Sequence, residues 1–168
     1  STFNSDDLFY QYNAVDFSIE EYVHEVIDDL KDAGANVLLL SHRLVSIEET
    51  NNTWWFKGFD NSVVKRYMDA AWESGIKCII NDFTIQNVEE SGDTARIKDR
   101  LDNAEFRKAV MHPAFYGLNI EDEPAEGEMV NVGTSVRYIL DYWKDDPELK
   151  NRPLPHIYAA LRPYDENN

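Results

Sequence analysis

The sequence predicts an α/β fold in which parallel strands alternate with helices, and three observations predict it. Short apolar runs begin near residues 37, 78, 115 and 156, at successive separations of 41, 37 and 41 residues. The stretches between them carry apolar residues at helical spacing. The first two helical stretches each stop at a glycine, Gly34 and Gly75, the residue that most readily closes a helix. Parallel neighbours need a crossover connection and a helix is the usual one, so a repeated helix–glycine–strand unit implies a parallel sheet.

Taken in order, LFYQYNAV (residues 8–15) alternates enough to be a first strand. Ser18 to Glu21 fits a capping box, and Ile19, Tyr22, Val23, Val26, Ile27 and Leu30 make the clearest apolar stripe, up to Gly34. NVLLLSHR follows, its uninterrupted apolar residues suggesting a strand buried on both faces. The second unit has Asp60 or Asn61 as cap, then Val64, Tyr67, Met68 and Ala71, then Gly75 and the strand KCIINDF. The third is less regular: residues 94–112 carry a weak stripe through Ile97, Leu101, Phe106 and Val110 before Pro113 and the strand FYGLNI. The fourth runs from about Glu128 to Leu149, through Val132, Val136, Ile139, Leu140 and Trp143, into HIYAAL. The total is about five parallel strands and four helices.

At 168 residues, 43% of them hydrophobic and 12% aromatic, the chain fits a single packed βα-repeat domain spanning 1–168. Its net charge of -16 repels phosphate backbones and anionic lipid, so neither nucleic acid nor membrane is expected as a partner. Uncharged and cationic ligands stay open, neutral carbohydrate among them. The lone cysteine, Cys78, lies inside a strand and is expected to be a buried, inert thiol. No run approaches the ~20 apolar residues of a membrane span. The start STFNSDD lacks a signal core. Compartment is therefore open, with a secreted or periplasmic setting favoured if a signal peptide has been removed. Asn51 to Thr53 forms a glycosylation triplet, a pattern frequent by chance.

Two architectures share the βα pattern. A doubly wound five-stranded parallel sheet would be complete at this length, whereas an eight-unit TIM-type (β/α) barrel needs ~250 residues and would be only partly present. Against the sheet, no strand leads into a glycine-rich phosphate turn, so no cofactor is expected, and the loops after strands are long and polar. A partial barrel is the expected reading and the doubly wound sheet the alternative. In either fold, ligands bind at the carboxyl ends of strands. Those ends carry Tyr12 and Asn13, His42 and Arg43, Asn81 and Asp82, Glu121 to Glu123, and Arg162. Any one of them has an ordinary explanation as a helix cap or solvated terminus; the whole set is harder to explain so.

Side chains alternate along a strand, which places Tyr116, Leu118, Ile120 and Asp122 on one face of the fourth strand. Phe115, Gly117, Asn119, Glu121 and Glu123 take the other. The second face is small and polar enough to look into a barrel, and Pro124 ends the pairing.

The stretch HPAFYGLNIEDEP resembles the fourth-strand segment of the (β/α)8 clan of retaining glycoside hydrolases, where an apolar strand ends in Asn-Glu or Asp-Glu, often before proline. FYQYNAVDFSIEEYVHEVIDDLKDAGANVLLL is similar to the first strand, helix and second strand of bacterial barrel proteins related to that clan. The resemblance implies a carbohydrate substrate, with Glu123 as general acid/base and Asp122 where asparagine commonly meets the sugar 2-hydroxyl. It also implies a nucleophile on a seventh strand, outside this chain, so that the chain is expected to be a fragment of a longer barrel. The chemistry suits these residue types: protonating a leaving oxygen at neutral pH needs a carboxyl with a raised pKa, and Glu121 and Asp122 supply like charge beside Glu123.

Other features divide between ligand contact and architecture. Trp54 and Trp55, in TWWFKGF (residues 53–59), have ring faces suited to stacking on pyranoses, or to a hydrophobic lid. Arg43 is a candidate for a ligand contact or for pairing with the acids. Tyr158 is a candidate cavity lining, against the commoner buried core tyrosine. His24 and His112 read as structural. The acids at 121, 122, 123, 126 and 128 lack the alternating calcium-loop pattern, so no metal site is expected. The competing functional class is a non-catalytic, sugar-binding or self-assembling partial-barrel module.

Overall fold

The structure, a computed structural model, describes residues 2–4, 20–40, 46–47, 58–59, 61–86, 94–122, 124 and 126–160. The first helix, α1 (Glu20–Asp32), buries Val23, Val26, Ile27 and Leu30 along one face. It closes with Gly34 at φ 75°, whose N–H donates to the Lys31 carbonyl while the Ala35 N–H donates to Leu30. The second helix, α2 (Asn61–Glu73), ends identically: Gly75 at φ 74° donates to Trp72, and Ile76 donates to Ala71. A left-handed residue is needed for these paired bonds, which is why glycine punctuates both units. In each, the next residue, Ala35 or Ile76, is buried and leads the chain into a strand.

The main sheet is parallel throughout, in the order β1 (Thr2–Asn4), β2 (Val37–Leu40), β5 (Lys77–Asn81), β6 (Phe115–Asp122), β7 (His156–Ala160). Between β2 and β5 a short antiparallel pair, β3 (Ser46–Ile47) and β4 (Gly58–Phe59), stands apart as its own sheet. The main strands thus lie side by side in chain order. A doubly wound sheet reverses its order at a switch point; none occurs among the described strands, so that alternative is not supported. Sequential order, with the right-handed crossovers usual for parallel βα units, puts the described crossover helices on one face, as in part of a βα barrel. The expected first strand at 8–15 lies outside the described residues; the strand at that edge is Thr2–Asn4.

The helix-facing side of the sheet is the core: Leu38, Leu40, Cys78, Ile80, Leu118 and Ile120 pack with the buried faces of the helices. The strand NVLLL is less symmetric than expected, with Leu38 and Leu40 fully buried and Val37 and Leu39 only half-buried. Cys78 is fully buried, and burial pushes its thiol up to about 12, in agreement with an inert role.

The third unit is two helices, α4 (Thr94–Asp102) and α5 (Ala104–Val110), preceded by the single turn α3 (Phe83–Gln86). The break falls at Asn103, whose side-chain oxygen accepts from the N–H groups of Glu105 and Phe106, both at 3.0 Å. A weak stripe reads as one interrupted helix because an N-cap in its middle restarts the phase. The last helix, α6 (Met129–Asp145), buries Val132, Ile139 and Trp143; Phe115 stacks on Trp143 with ring centroids 5.8 Å apart.

That stacking corrects the phase assigned to the strand start. Cys78 is opposite Phe115 and Ile79 opposite Gly117, so Tyr116 is an extra residue, a bulge. Phe115 therefore turns to the helices, while Tyr116 joins the other face, its ring 4.1 Å from that of His156. At Gly117 the β6 and β7 backbones crowd together: a Cβ there would meet the His156 carbonyl oxygen at 2.1 Å.

Candidate functional site

On the face away from the helices, one register level brings polar residues from adjacent strands into line. Asn81 is opposite Asn119, and Asn119 is opposite Tyr158. Residues in register on neighbouring parallel strands project to the same side, at strand spacings of about 4.8 Å, so the three form a polar row across β5, β6 and β7. The row is buried at one end and open at the other, with Asn81 7% and Tyr158 37% exposed. Tyr158 is thus neither core nor enclosed; with Tyr116 and His156 it makes an aromatic patch on the open side.

Glu121 stands two residues beyond Asn119, roughly 7 Å further along the strand, and is 4% exposed. The β6–β7 register shifts between Asn119 and Glu121. One residue is therefore added to β6, and simple alternation does not carry Glu121 to the side of Asn119 relative to β7. Asp122, not Glu121, takes the register position opposite Ala160, two residues along from Tyr158. The strand ends at Asp122, and Pro124, which has no N–H to continue a ladder, is buried just beyond.

Behind the row, Asp82 is buried, 1% exposed, where β5 meets α3. Its Oδ1 accepts from the Thr84 N–H at 2.9 Å and from Nε of Arg100 at 3.2 Å. Arg100 comes from α4, is itself 2% exposed, and donates through Nη2 to the Thr84 hydroxyl at 2.9 Å. Burial pushes the Asp82 carboxyl above the usual range, with the Arg100 charge opposing it. The Arg100 guanidinium also lies 5.7 Å from the Phe59 ring of β4, which packs edge to face on Phe106 at 5.1 Å. The end of TWWFKGF is accordingly anchored in the core beside the end of β5.

Two buried acceptors at this end, Asn81 Oδ1 and Asp82 Oδ2, have no hydrogen-bond partner among the described residues. Such atoms each cost roughly 1–3 kcal/mol unless a donor meets them. The donor set holds no cluster suited to a metal ion among the described residues, and no described helix is long and apolar enough to cross a membrane.

Asn81, Asp82, Glu121 and Tyr158 are thus gathered on adjacent strands at one end of the sheet, with Asp122 at the strand terminus. Tyr12, Asn13, His42, Arg43, Trp54, Trp55, Glu123 and Arg162 lie outside the described residues. Arg100 and Phe59 were not among the expected site residues. Arg100 had a signal, since it sits three residues after Ile97 and next to Leu101 on the same helical face, where a charge must find a buried partner.

No family model and no curated protein matches the chain. Among solved structures, the β-mannanase of the blue mussel Mytilus edulis is similar to it, with a TM-score of 0.47 and 16% identity. The match covers 82% of this chain and 50% of that one, so the chain spans about half the length of that structure.

Proposed function

We propose that the chain is a carbohydrate-active segment of a (β/α) barrel, with a saccharide lying along the strand ends and Glu123 serving as general acid/base of retaining O-glycosidic bond hydrolysis. The observation that carries the reading is the row Asn81–Asn119–Tyr158 across a sequentially ordered parallel sheet, with buried Glu121 two residues beyond Asn119 on β6. A polar row with one open aromatic end suits a sugar, whose hydroxyls donate to and accept from amides while its ring faces meet an aromatic side chain. The unmet acceptor Asn81 Oδ1, at the buried end of the row, adds a place for a hydroxyl donor.

In this reading Glu123 gives its proton to the leaving oxygen and later takes one from water. Glu121, buried two residues earlier, supports it by like charge, which keeps a proton on the neighbouring carboxyl at neutral pH. Asp122 meets the sugar 2-hydroxyl. Tyr12, Asn13, Arg43 and Arg162 are further polar contacts to the saccharide in this reading, and Trp54 and Trp55 are its stacking partners. The nucleophile, ~5 Å from the acid in a retaining enzyme, comes from a strand outside these residues, the whole barrel being longer than this chain.

The test uses the full-length natural protein and para-nitrophenyl gluco-, galacto-, manno- and xylosides. At least one should be hydrolysed, with KM raised about tenfold or more in Asn81→Ala and Tyr158→Ala. If no member of the panel is hydrolysed and none alters tryptophan fluorescence at tens of millimolar, the reading is wrong.

A second reading, a non-catalytic self-assembling module, is favoured by the β7 side. Among the described residues β7 pairs only with β6, and its His156 and Tyr158 are exposed on the open face. Light scattering of the 168-residue chain discriminates: a defined dimer without hydrolysis by the full-length protein supports assembly, and a monomer removes it.

A further inference from the structure

We propose that Arg100 is a positioning residue that locks two separate strand-end segments together, the β5–α3 turn and the β3–β4 hairpin, and thereby sets the geometry of the saccharide row at Asn81. Its ligand rests on the carbohydrate reading above; its mechanical part does not.

Three contacts described for the Arg100 side chain carry this. Nε meets Asp82 Oδ1 at 3.2 Å, Nη2 meets the Thr84 hydroxyl at 2.9 Å, and the guanidinium lies 5.7 Å from the Phe59 ring. The first two hold the turn that directly follows Asn81, the buried end of the polar row. The third holds Phe59, the last residue of β4. Arg100 and Asp82 side chains are each 1% exposed, so water cannot substitute for either partner. A buried ion pair of this kind is poor evidence of stabilisation, because desolvating both charges offsets most of their attraction. What it supplies is a fixed geometry, since a planar guanidinium satisfies its partners only in one orientation. The placement also explains a charge on the buried face of α4 between Ile97 and Leu101, where an aliphatic residue would fill the same space without fixing either segment.

A lysine keeps the charge but offers one point of donation, and it does not bridge Asp82 and Thr84 in the way a fork does. Arg100→Lys therefore separates charge from geometry. The experiment compares the full-length natural protein with Arg100→Lys, Arg100→Met and Phe59→Leu. It reads amide hydrogen exchange at 58–59 and 82–86, and kcat and KM on the para-nitrophenyl glycoside that the wild type turns over fastest. Arg100→Lys is expected to fold, to exchange at least tenfold faster in both segments, and to raise KM about tenfold with kcat within threefold. Phe59→Leu is expected to accelerate exchange at 58–59 only. Should Arg100→Met fail to fold, the lysine and leucine variants carry the test. Wild-type exchange and wild-type KM in Arg100→Lys would overturn the proposal. If the wild type hydrolyses no glycoside, the carbohydrate reading falls, while the exchange arm still decides whether Arg100 locks the two segments.

Discussion

Replacing Gly117 by alanine adds one methyl group at the closest approach of β6 and β7, and its cost follows from the geometry. The new Cβ would stand 2.1 Å from the His156 carbonyl oxygen and 2.9 Å from its carbon, where contacts under 3.0 Å are essentially never seen. Relief needs a separation of close to 1 Å, and because the obstacle is backbone, no rotamer provides it. Overpacking costs typically 1–3 kcal/mol, and a backbone clash belongs at the top of that range, about 3 kcal/mol. For a chain of this size that is a fall in Tm of roughly 6–12 °C. The same substitution at Gly133 should have the opposite sign. There the nearest atom is Arg137 Nη1 at 3.8 Å, and alanine in a helix interior gains ~0.5–1 kcal/mol over glycine. Thermal unfolding followed by circular dichroism, with hydrogen exchange of β7, checks both. A Gly117→Ala protein that melts within 2 °C of wild type by the same ~2–4 °C per kcal/mol scale would refute the inferred strand contact.

Other expectations concern charge and burial. Asp82→Ala leaves the Arg100 guanidinium without its carboxylate in the interior and should cost ~3–5 kcal/mol by denaturant unfolding, whereas a change under ~0.5 kcal/mol would show the pair to be solvated. Arg107 donates to both oxygens of Asp146, at 2.9 and 2.8 Å, and holds that carboxyl down at about 2. A depressed acid contributes stability that is complete above its unfolded pKa of about 3.9 and is lost as pH falls toward 2. Wild-type Tm should therefore fall more steeply than that of Asp146→Asn between about pH 4 and 2, and parallel curves would contradict the assignment. The Cys78 thiol, fully buried and raised to about 12, should stay unreactive to a disulfide reagent until denaturant is added; rapid native labelling would place it elsewhere.

What the sequence disclosed and what it concealed divide along physical lines. Helices α1 and α2 were legible because a strong stripe and a closing glycine are both local signals, and each glycine has the positive φ such a closure requires. The spacing of apolar runs likewise carried the parallel sheet. Asn103 broke the third helix unseen, since an asparagine in a weak stripe reads equally as surface. The faces of β6 failed at its two ends for a different reason. The bulge at Tyr116 and the register shift before Glu121 are set by how neighbouring strands align, which period-two alternation along one strand does not contain. Asn81 ends β5 and Asp82 follows it, as the apolar run before them predicts, yet Asp82's buried partner is 18 residues away on another element, a pairing that only the fold creates. The polar row through Asn119 and Tyr158 is similarly a property of register.

The most direct test of the central claim is the leaving-group dependence of Glu123→Gln in the full-length natural protein. A general acid matters most when the departing oxygen is basic, so the variant should lose ~10²–10⁴-fold in kcat/KM on a methyl glycoside or a disaccharide, whose leaving groups are alcohols. It should lose far less on a dinitrophenyl glycoside, whose leaving group needs no proton. Equal activity of wild type and Glu123→Gln on both substrates would contradict the account.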